Sequence, residues 1–562
     1  MKRILPFVIF WFILNLIQSF FTEIIDDEAY YWVYSQFLDW GYFDHPPMIA
    51  WLIRIGSTLV PGELGVRLMN SLLGAGTILL TFLMLKDQIR NYRLLMIVVF
   101  SIPLFHANVA GFIATPDLPL VFFATLFFFL YKRYLENETP GIVLLLGLSV
   151  ALMLYSKYHA FLIIGFTLLS NPKILLKRSF WLMVVFASLL YLPHIIWQFK
   201  HHFVSFGYHL VDRNRPFEVK FLLEYFANQL IMIGPLSGII LLYLGITHKT
   251  VDRFEAALKF NLIGFFLFFL VSSMRGHVEP HWTAAAFVPL ILLSFPDIEK
   301  KIALHKWITI SGIITIALIL FLRLVLIVDM GLLPDKLSHR FLHKKESFQQ
   351  IQKEANGRFV VFTNSYQKAS LYWFFNQEPA FSLNDIYYRK NQYDLMDQEA
   401  ALQGKEVLYF PAIEFPGCDT LKTAMEDFLM SDTDYFCHFN RVEIKLPQMN
   451  WEFETGERID IHIELSNPTA STIRFCDSCT HKPRLVYSYF SPKGYDLAYY
   501  VNSSNPIPDL EPGECIVLPV EMKIPHFTGQ YQLMFSLGSE NLRAGLNGKP
   551  VTVSVLARSR KN

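Results

Sequence analysis

Charge is scarce in this chain. Only 17% of its 562 residues are Asp, Glu, Lys or Arg, whereas 53% are hydrophobic, a composition too apolar for an ordinary soluble enzyme. Neither sign prevails, with 49 basic residues against 48 acidic ones, so the basic footprint of a nucleic-acid-binding protein is missing. Cysteine is absent before Cys418, which rules out a disulfide framework in everything that precedes it. No small-residue cleavage site follows the first apolar run, Ile4 to Phe21. That run is expected to remain as a helix, its N-terminus in the cytoplasm, rather than to leave as a secretory signal. No internal repeat is visible either, unlike the repeated halves of many transporters.

What the chain has in abundance is long apolar runs. A bilayer core takes about 20 apolar residues per helix, and eleven stretches qualify or nearly so: 4–21, 66–85, 94–110, 118–134, 142–155, 160–169, 180–199, 221–244, 258–271, 282–295 and 307–328. Lys and Arg collect on the cytoplasmic side of a membrane. With the N-terminus inside, the loops expected there hold Lys86/Arg90/Arg93, Lys132/Arg133, Lys173/Lys177/Arg178, Lys249/Arg253/Lys259 and Lys300/Lys301/Lys306. Each of these loops is basic, which supports a multi-pass membrane protein with this orientation.

An odd number of spans puts everything after Val328 on the periplasmic side. Three domains are expected: a membrane domain over 1–332, a small α/β domain over 333–440, and a β-sandwich over 441–562. Short apolar strands such as Phe359 to Thr363 and Val407 to Phe410 flank a helix-like stretch in the second. The third alternates in the manner of strands, as in Ile459-Asp-Ile-His-Ile-Glu-Leu465, with Asn-Pro and Pro-Gly punctuation. All five cysteines lie in this tail, and five cannot all pair internally. Cys476-x-x-Cys479 fits a local disulfide, two free thiols or, less well, a metal or redox site, since no second ligand pair follows it.

The polar connections carry the chemistry. Asp26-Asp27-Glu28 comes directly after the first span, and ionisable groups near a membrane are usually functional. The same face is expected to collect Asp117, Lys157, His159 and the Glu279-Pro-His281-Trp282 turn. A reaction on a membrane-anchored donor needs a base, cations for a phosphate leaving group and an apolar groove. Asp27 and Glu28 are candidates for the base or for orienting an acceptor; Arg67, Lys157 and His45 are candidates for the phosphate. Tyr30, Tyr42, Asp44, His159, Glu279, His281 and Trp282 are expected to line the substrate site. Each also has a plainer reading: an aromatic belt at the headgroups for the Tyr30 run, a helix stop for His45-Pro46-Pro47, and snorkelling for Lys157 and Arg67.

In their order, Asp-Asp-Glu-Ala-Tyr-Tyr-Trp, Gly-Tyr-Phe-Asp-His-Pro-Pro-Met-Ile-Ala-Trp, Gly-Glu-Leu-Gly-Val-Arg67, Thr-Pro-Asp117, Ser-Lys157-Tyr and Glu279-Pro-His281-Trp resemble the bacterial protein O-mannosyltransferase and lipid A aminoarabinose transferase group. The likeness covers residues 1 to about 328 and reaches weakly to Asp394. It implies a polytopic α-helical protein of the bacterial inner membrane with the GT-C fold, beyond which the α/β and β-sandwich parts read from the strand pattern are expected in the periplasm. It implies an inverting glycosyltransferase that moves a sugar from a polyprenyl-phosphate carrier to a glycolipid, such as lipid A, or to a protein hydroxyl. By the same resemblance Asp27 is the base, Asp117 the acid of the second loop, and Arg67 and Lys157 contacts of the donor phosphate. Aminoarabinose transferases have Lys-Pro-Pro where this chain has His45-Pro46-Pro47, and histidine is the weaker phosphate clamp near neutral pH. No obligatory metal or cofactor is expected, although carboxylates and imidazoles here have the chemistry to take a divalent cation. The competing class is a lipid or sugar transporter or flippase.

Overall fold

The computed structural model describes residues 4–209, 217–447, 450–475, 483–491, 497–500, 507–539 and 542–558. Cys476 and Cys479 lie outside the described residues. The chain divides into two units, Met1–Lys344 and Lys345–Asn562, where the sequence reading drew boundaries after residues 332 and 440.

The first unit is helical throughout. Its elements are α1 (Leu5–Phe21), α2 (Asp26–Gln36), α3 (Met48–Leu59), α4 (Gly62–Leu85), α5 (Tyr92–Phe100), α6 (Asp117–Glu136), α7 (Pro140–Ser156), α8 (Ala160–Ser170), α9 (Arg178–Lys200) and the single turn α10 (Val204–Gly207). There follow α11 (Val219–Ile233), α12 (Gly238–Thr247), α13 (Arg253–Ser272), α14 (Phe287–Lys300), α15 (Ile302–Val325) and α16 (Asp335–Phe341). Six stretches are long and apolar enough to cross a membrane, or up to eight if two bent pairs each count as one span. In lipid a spanning segment must satisfy its own backbone, which is why these apolar runs are helical. On α1, Leu5, Ile9, Ile13 and Ile17 remain exposed while Trp11, Asn15 and Gln18 turn inward, as expected of a helix with lipid on one side and protein on the other.

Every apolar run read from the sequence contains helix, but two are broken. The run 221–244 splits into α11 and α12, which meet at 95°. Gly234, at φ 120°, and Pro235 sit in the break, where proline supplies no backbone donor and glycine takes a conformation closed to other residues. In the run 94–110, α5 gives way to a π-helical turn, Phe105–Val109. That turn packs His106 against Arg323 of α15, whose guanidinium also donates to Asn15 Oδ1 (2.7 Å) and Gln18 Oε1 (3.1 Å). A buried cation within the bundle is thus held by neutral acceptors from α1 and the π turn.

The helix α17 (Lys344–Ala355) starts at the last residue of the first unit and leads into the second, which builds a five-stranded sheet of order β2-β1-β3-β5-β4 from β1 (Phe359–Thr363), β2 (Ala380–Leu383), β3 (Val407–Phe410), β4 (Asp419–Lys422) and β5 (Asp427–Thr433). Strands β1, β2 and β3 are parallel, and α18 (Tyr366–Asn376) makes the β1-to-β2 crossover. Beyond it, β6 (Glu443–Lys445), β7 (Asn450–Glu454), β8 (Arg458–Ser466), β9 (Arg484–Phe490), β10 (Leu497–Tyr500), β11 (Cys515–Lys523), β12 (Gly529–Gly538) and β13 (Val551–Leu556) form sheets of order β10-β9-β12-β13-β7 and β11-β8-β6. Ile463, Leu465, Val520 and Met522 from one sheet share a core with Tyr487, Leu533 and Val553 from the other, the α/β unit and β-sandwich expected from the alternation. The Asn384 to Asp394 stretch is a structural knot here: Asp394 Oδ2 accepts from Asn384 Nδ2 (2.6 Å) and from the Asn391 amide (2.7 Å). Cys418, Cys437 and Cys515 are free thiols, and burial pushes the Cys437 thiol up to about 11, which makes it inert near neutral pH.

Candidate active site

Three consecutive acids begin α2, and a helix turns about 100° per residue. They therefore face three ways and meet three fates. Asp26 Oδ1 accepts from Lys344 Nζ at 2.7 Å. Glu28 turns into the bundle, where Arg67 of α4 meets it through Nε (2.7 Å to Oε1) and Nη2 (2.5 Å to Oε2), with both side chains fully buried. Glu28 Oε2 also caps its own helix by accepting from the Ile25 amide at 3.1 Å, and Oε1 accepts from the Ala114 amide at 2.7 Å. One carboxylate thereby ties α2, α4 and the loop leading to Asp117 together.

Arg67 has no donor left over. Its remaining N–H groups go to the carbonyls of Ser19 (3.3 Å), Thr22 (2.6 Å) and Glu23 (3.0 Å) at the end of α1. The sequence reading placed Glu28 among the catalytic acids and Arg67 on the donor phosphate. In the structure both are committed to each other and to backbone, because a buried charge has to be paired and hydrogen-bonded.

Asp27 is different. It accepts no hydrogen bond from any described residue, and part of its surface stays open. Burial of the rest pushes its carboxyl up to about 6; the Arg340 guanidinium opposes this, while the charges of Asp26, Asp44 and Glu279 add to it. An uncommitted carboxylate poised near neutrality has the chemistry of a general base.

Asp117 begins α6, and Lys157 caps the end of α7. Lys157 Nζ sits 2.8 Å from each Asp117 oxygen, and both side chains are nearly fully buried. His281 Nε2 lies 3.5 Å from Asp117 Oδ2. His159, at the start of α8, packs its ring against Phe269 (5.0 Å) and Trp282 (5.6 Å), with Nδ1 buried and unpartnered. His45, His209, His281 and Lys157 all act electrostatically on it. Glu279 is 3.7 Å from His277. The acids, the lysine and the histidines read from separate loops thus converge.

Around them runs an aromatic frame. Tyr34 stacks on Tyr42 at 4.3 Å and meets Tyr30 edge-on at 4.6 Å, and its hydroxyl donates to Asp44 Oδ1 at 2.5 Å. The Tyr42 hydroxyl donates to the carbonyls of Tyr34 and Phe37, each at 3.0 Å, so it braces the loop from within. That loop is clamped onto α9: Trp197 Nε1 donates to Asp39 Oδ2 (2.7 Å), and a Cβ on Gly41 would lie 2.4 Å from the Trp197 ring. Only glycine allows so close an approach.

His45 was expected to help neutralise a phosphate. Burial pushes it down to about 4, so it is neutral at pH 7 and brings no charge, and its Nδ1 has no hydrogen-bond partner. The neutral variant His45→Gln is accordingly expected to keep its affinity for a lipid-phosphate donor. A loss on the order of tenfold or more, the size of a charge-assisted hydrogen bond, would show that His45 is charged when the donor binds. Among the described residues no three His, Cys, Asp or Glu side chains gather to hold a metal. The carboxylates of Asp117 and Glu28 face Lys157 and Arg67.

Sequence reasoning missed Tyr34, Lys344 and Arg340. Tyr34 stood in the aromatic run, but nothing in the sequence marks a lysine and an arginine over 300 residues downstream as neighbours of α2.

Residues 44–197 match the family model of dolichyl-phosphate-mannose-protein mannosyltransferases. A curated relative, the lipid A galacturonosyltransferase RgtD of Rhizobium johnstonii, is 25% identical over 381 residues, covering 63% of this chain and 78% of the relative. Among solved structures, apo ArnT from Cupriavidus metallidurans matches with a TM-score of 0.55 at 12% identity, over 76% of this chain and 97% of ArnT. The same protein bound to undecaprenyl phosphate matches with a TM-score of 0.53. The likeness to ArnT is one of fold. The chain is a polytopic membrane glycosyltransferase of the GT-C fold.

Proposed function

We propose that this enzyme works at the outer face of the bacterial inner membrane and moves a sugar from a polyprenyl-phosphate donor, with inversion, to a glycolipid of the lipid A type. The observation that carries the reading is Asp27, a carboxylate that accepts no hydrogen bond from any described residue and feels the charge of Glu279, which acts also on His281 next to the buried Asp117–Lys157 pair. The acceptor hydroxyl attacks the anomeric carbon while Asp27 takes its proton. The bond from that carbon to the phosphate oxygen breaks, and its electron pair leaves on the phosphate. Asp117 holds Lys157 and faces His281, fixing the site between α6, α7 and the Glu279–His281 turn. The basic loops on the opposite side of the expected topology support the orientation, and the similarity to RgtD supports a lipid A acceptor over a protein hydroxyl.

The test is the purified protein in liposomes with a polyprenyl-phosphate sugar and lipid A. Mass spectrometry is expected to find lipid A heavier by one sugar, with free polyprenyl phosphate released in step. A flippase would move the donor across the bilayer intact and release none. The pH profile is a second readout. Asp27 acts as a base only when ionised, so kcat/KM is expected to rise with pH through a limb near 6, where its carboxyl titrates in the free enzyme. A profile flat from pH 5 to 8 would remove Asp27 from that role.

A further inference from the structure

With Arg67 fully committed and Lys157 balanced by Asp117, the donor phosphate still needs a cation. Arg323 is bonded to Asn15, Gln18 and His106, and Lys344 to Asp26 and the Ile24 carbonyl. Neither is available.

Between α15 and Lys344 the chain makes a strap containing α16. It is closed at its base, where His343 Nε2 donates to Asp329 Oδ2 at 2.9 Å. It is pinned over the start of α2 by Lys344, whose amide donates to Glu23 Oε2 (2.8 Å) and whose Nζ donates to Asp26 Oδ1 (2.7 Å). His343 takes the left-handed backbone region at φ 63°, which lets the chain reverse between these two anchors.

The last turn of this short helix carries Arg340, exposed and four residues before Lys344. Among the described residues it makes no ion pair or hydrogen bond. Its charge nevertheless acts on Asp27 more strongly than any other charge does, and it reaches His281 as well. Arg340 is therefore within electrostatic reach of both Asp27 and His281, on a segment anchored to the start of α2, and its donors are unused among the described residues.

We propose that Arg340, held over α2 by this pinned strap, is the cation that receives the phosphate of the lipid-linked donor. The proposal rests on the transferase reading of the same site. As the sugar leaves, the phosphate changes from a singly charged diester to a doubly charged monoester. A guanidinium there gains attraction in the transition state, and its planar fork matches two phosphate oxygens. The strap also explains the pinning by Lys344: a long, mobile side chain placed by a fixed helix loses less freedom when it binds.

The test compares wild type, Arg340→Ala and Arg340→Lys as full-length protein in liposomes, with a polyprenyl-phosphate sugar as donor and a short-chain polyprenyl phosphate as binding probe. Arg340→Ala is expected to raise donor KM and probe Kd roughly ten- to a hundredfold, the scale of a charge-assisted hydrogen bond, and Arg340→Lys to recover part of both. The acidic limb of kcat/KM is also expected to move to higher pH in Arg340→Ala. That variant takes away the charge opposing the effects of burial, Asp26, Asp44 and Glu279 on Asp27, a shift that a purely structural role would not produce. If wild type transfers sugar while both variants keep wild-type donor KM, probe Kd and pH limb, the assignment of Arg340 falls and the transferase reading stands. A wild-type protein that transfers no sugar overturns both.

Discussion

Asp27→Asn is expected to abolish sugar transfer, lowering kcat by about 10²- to 10⁴-fold, the usual worth of a positioned general base, while the protein still purifies folded. The fold should survive because Asp27 accepts no hydrogen bond from a described residue, so an amide in its place breaks none. Folding should even lose a small burden, since the environment of Asp27 disfavours its charged form. The control is Glu28→Gln, one residue along the same helix: its loss should appear first as instability. An active Asp27→Asn enzyme, or one only a few-fold slower, would take the base from this position.

Arg67→Met has the other large effect, on stability rather than on the donor. It strands the fully buried Glu28 carboxylate without its counter-charge, and breaking a buried pair in this way costs about 3–5 kcal/mol. The measurement is the rate of thermal inactivation of the purified protein in detergent, which is expected to rise sharply. Adding Glu28→Leu should restore much of the lost stability, because replacing both members of a buried pair by apolar groups is often close to neutral. Donor KM in the double variant, measured while it remains folded, is expected to change less than in Arg340→Ala. A stable Arg67→Met protein with a raised donor KM would instead return Arg67 to the phosphate.

The membrane half was legible in the sequence because lipid leaves few choices: a spanning run must be long, apolar and helical, and each of those stretches proved to contain helix. Hydropathy was silent where a run bends. Gly234-Pro235 was visible but was outweighed by apolar residues on either side, and the Phe105–Val109 turn depends on Arg323 from a helix far away in the chain. The helices α2 and α3 were read only as a polar connection: α2 is buried on most sides and lacks the periodicity of a half-exposed helix, while α3 buries one face but is too short to read as a membrane span. In the second unit β8 keeps the period-two pattern of a one-sided strand, and β1 and β3 are short continuous apolar runs, so all three fell close to their expected bounds.

The site was legible as a set and not as a wiring diagram. Residue types and loop positions singled out Asp27, Asp117, Lys157 and His281, and the structure pairs Asp117 with Lys157 and sets His281 3.5 Å from Asp117. Which acid meets which cation depends on helix phase and long-range packing. Three adjacent carboxylates look alike in a sequence, yet 100° of rotation each sends one to Lys344, one to the open site and one to Arg67. Likewise His45 stands where aminoarabinose transferases carry a lysine, but only its burial shows that it is uncharged.

A density map of the full-length enzyme with polyprenyl phosphate bound tests the central claim most directly. The phosphate is expected beside Asp27, within reach of Arg340 and of the Asp117–Lys157 pair, with its tail running out between the apolar helices. A phosphate lodged in a cavity away from Asp27, or reached only from the other end of the helices, would contradict the account.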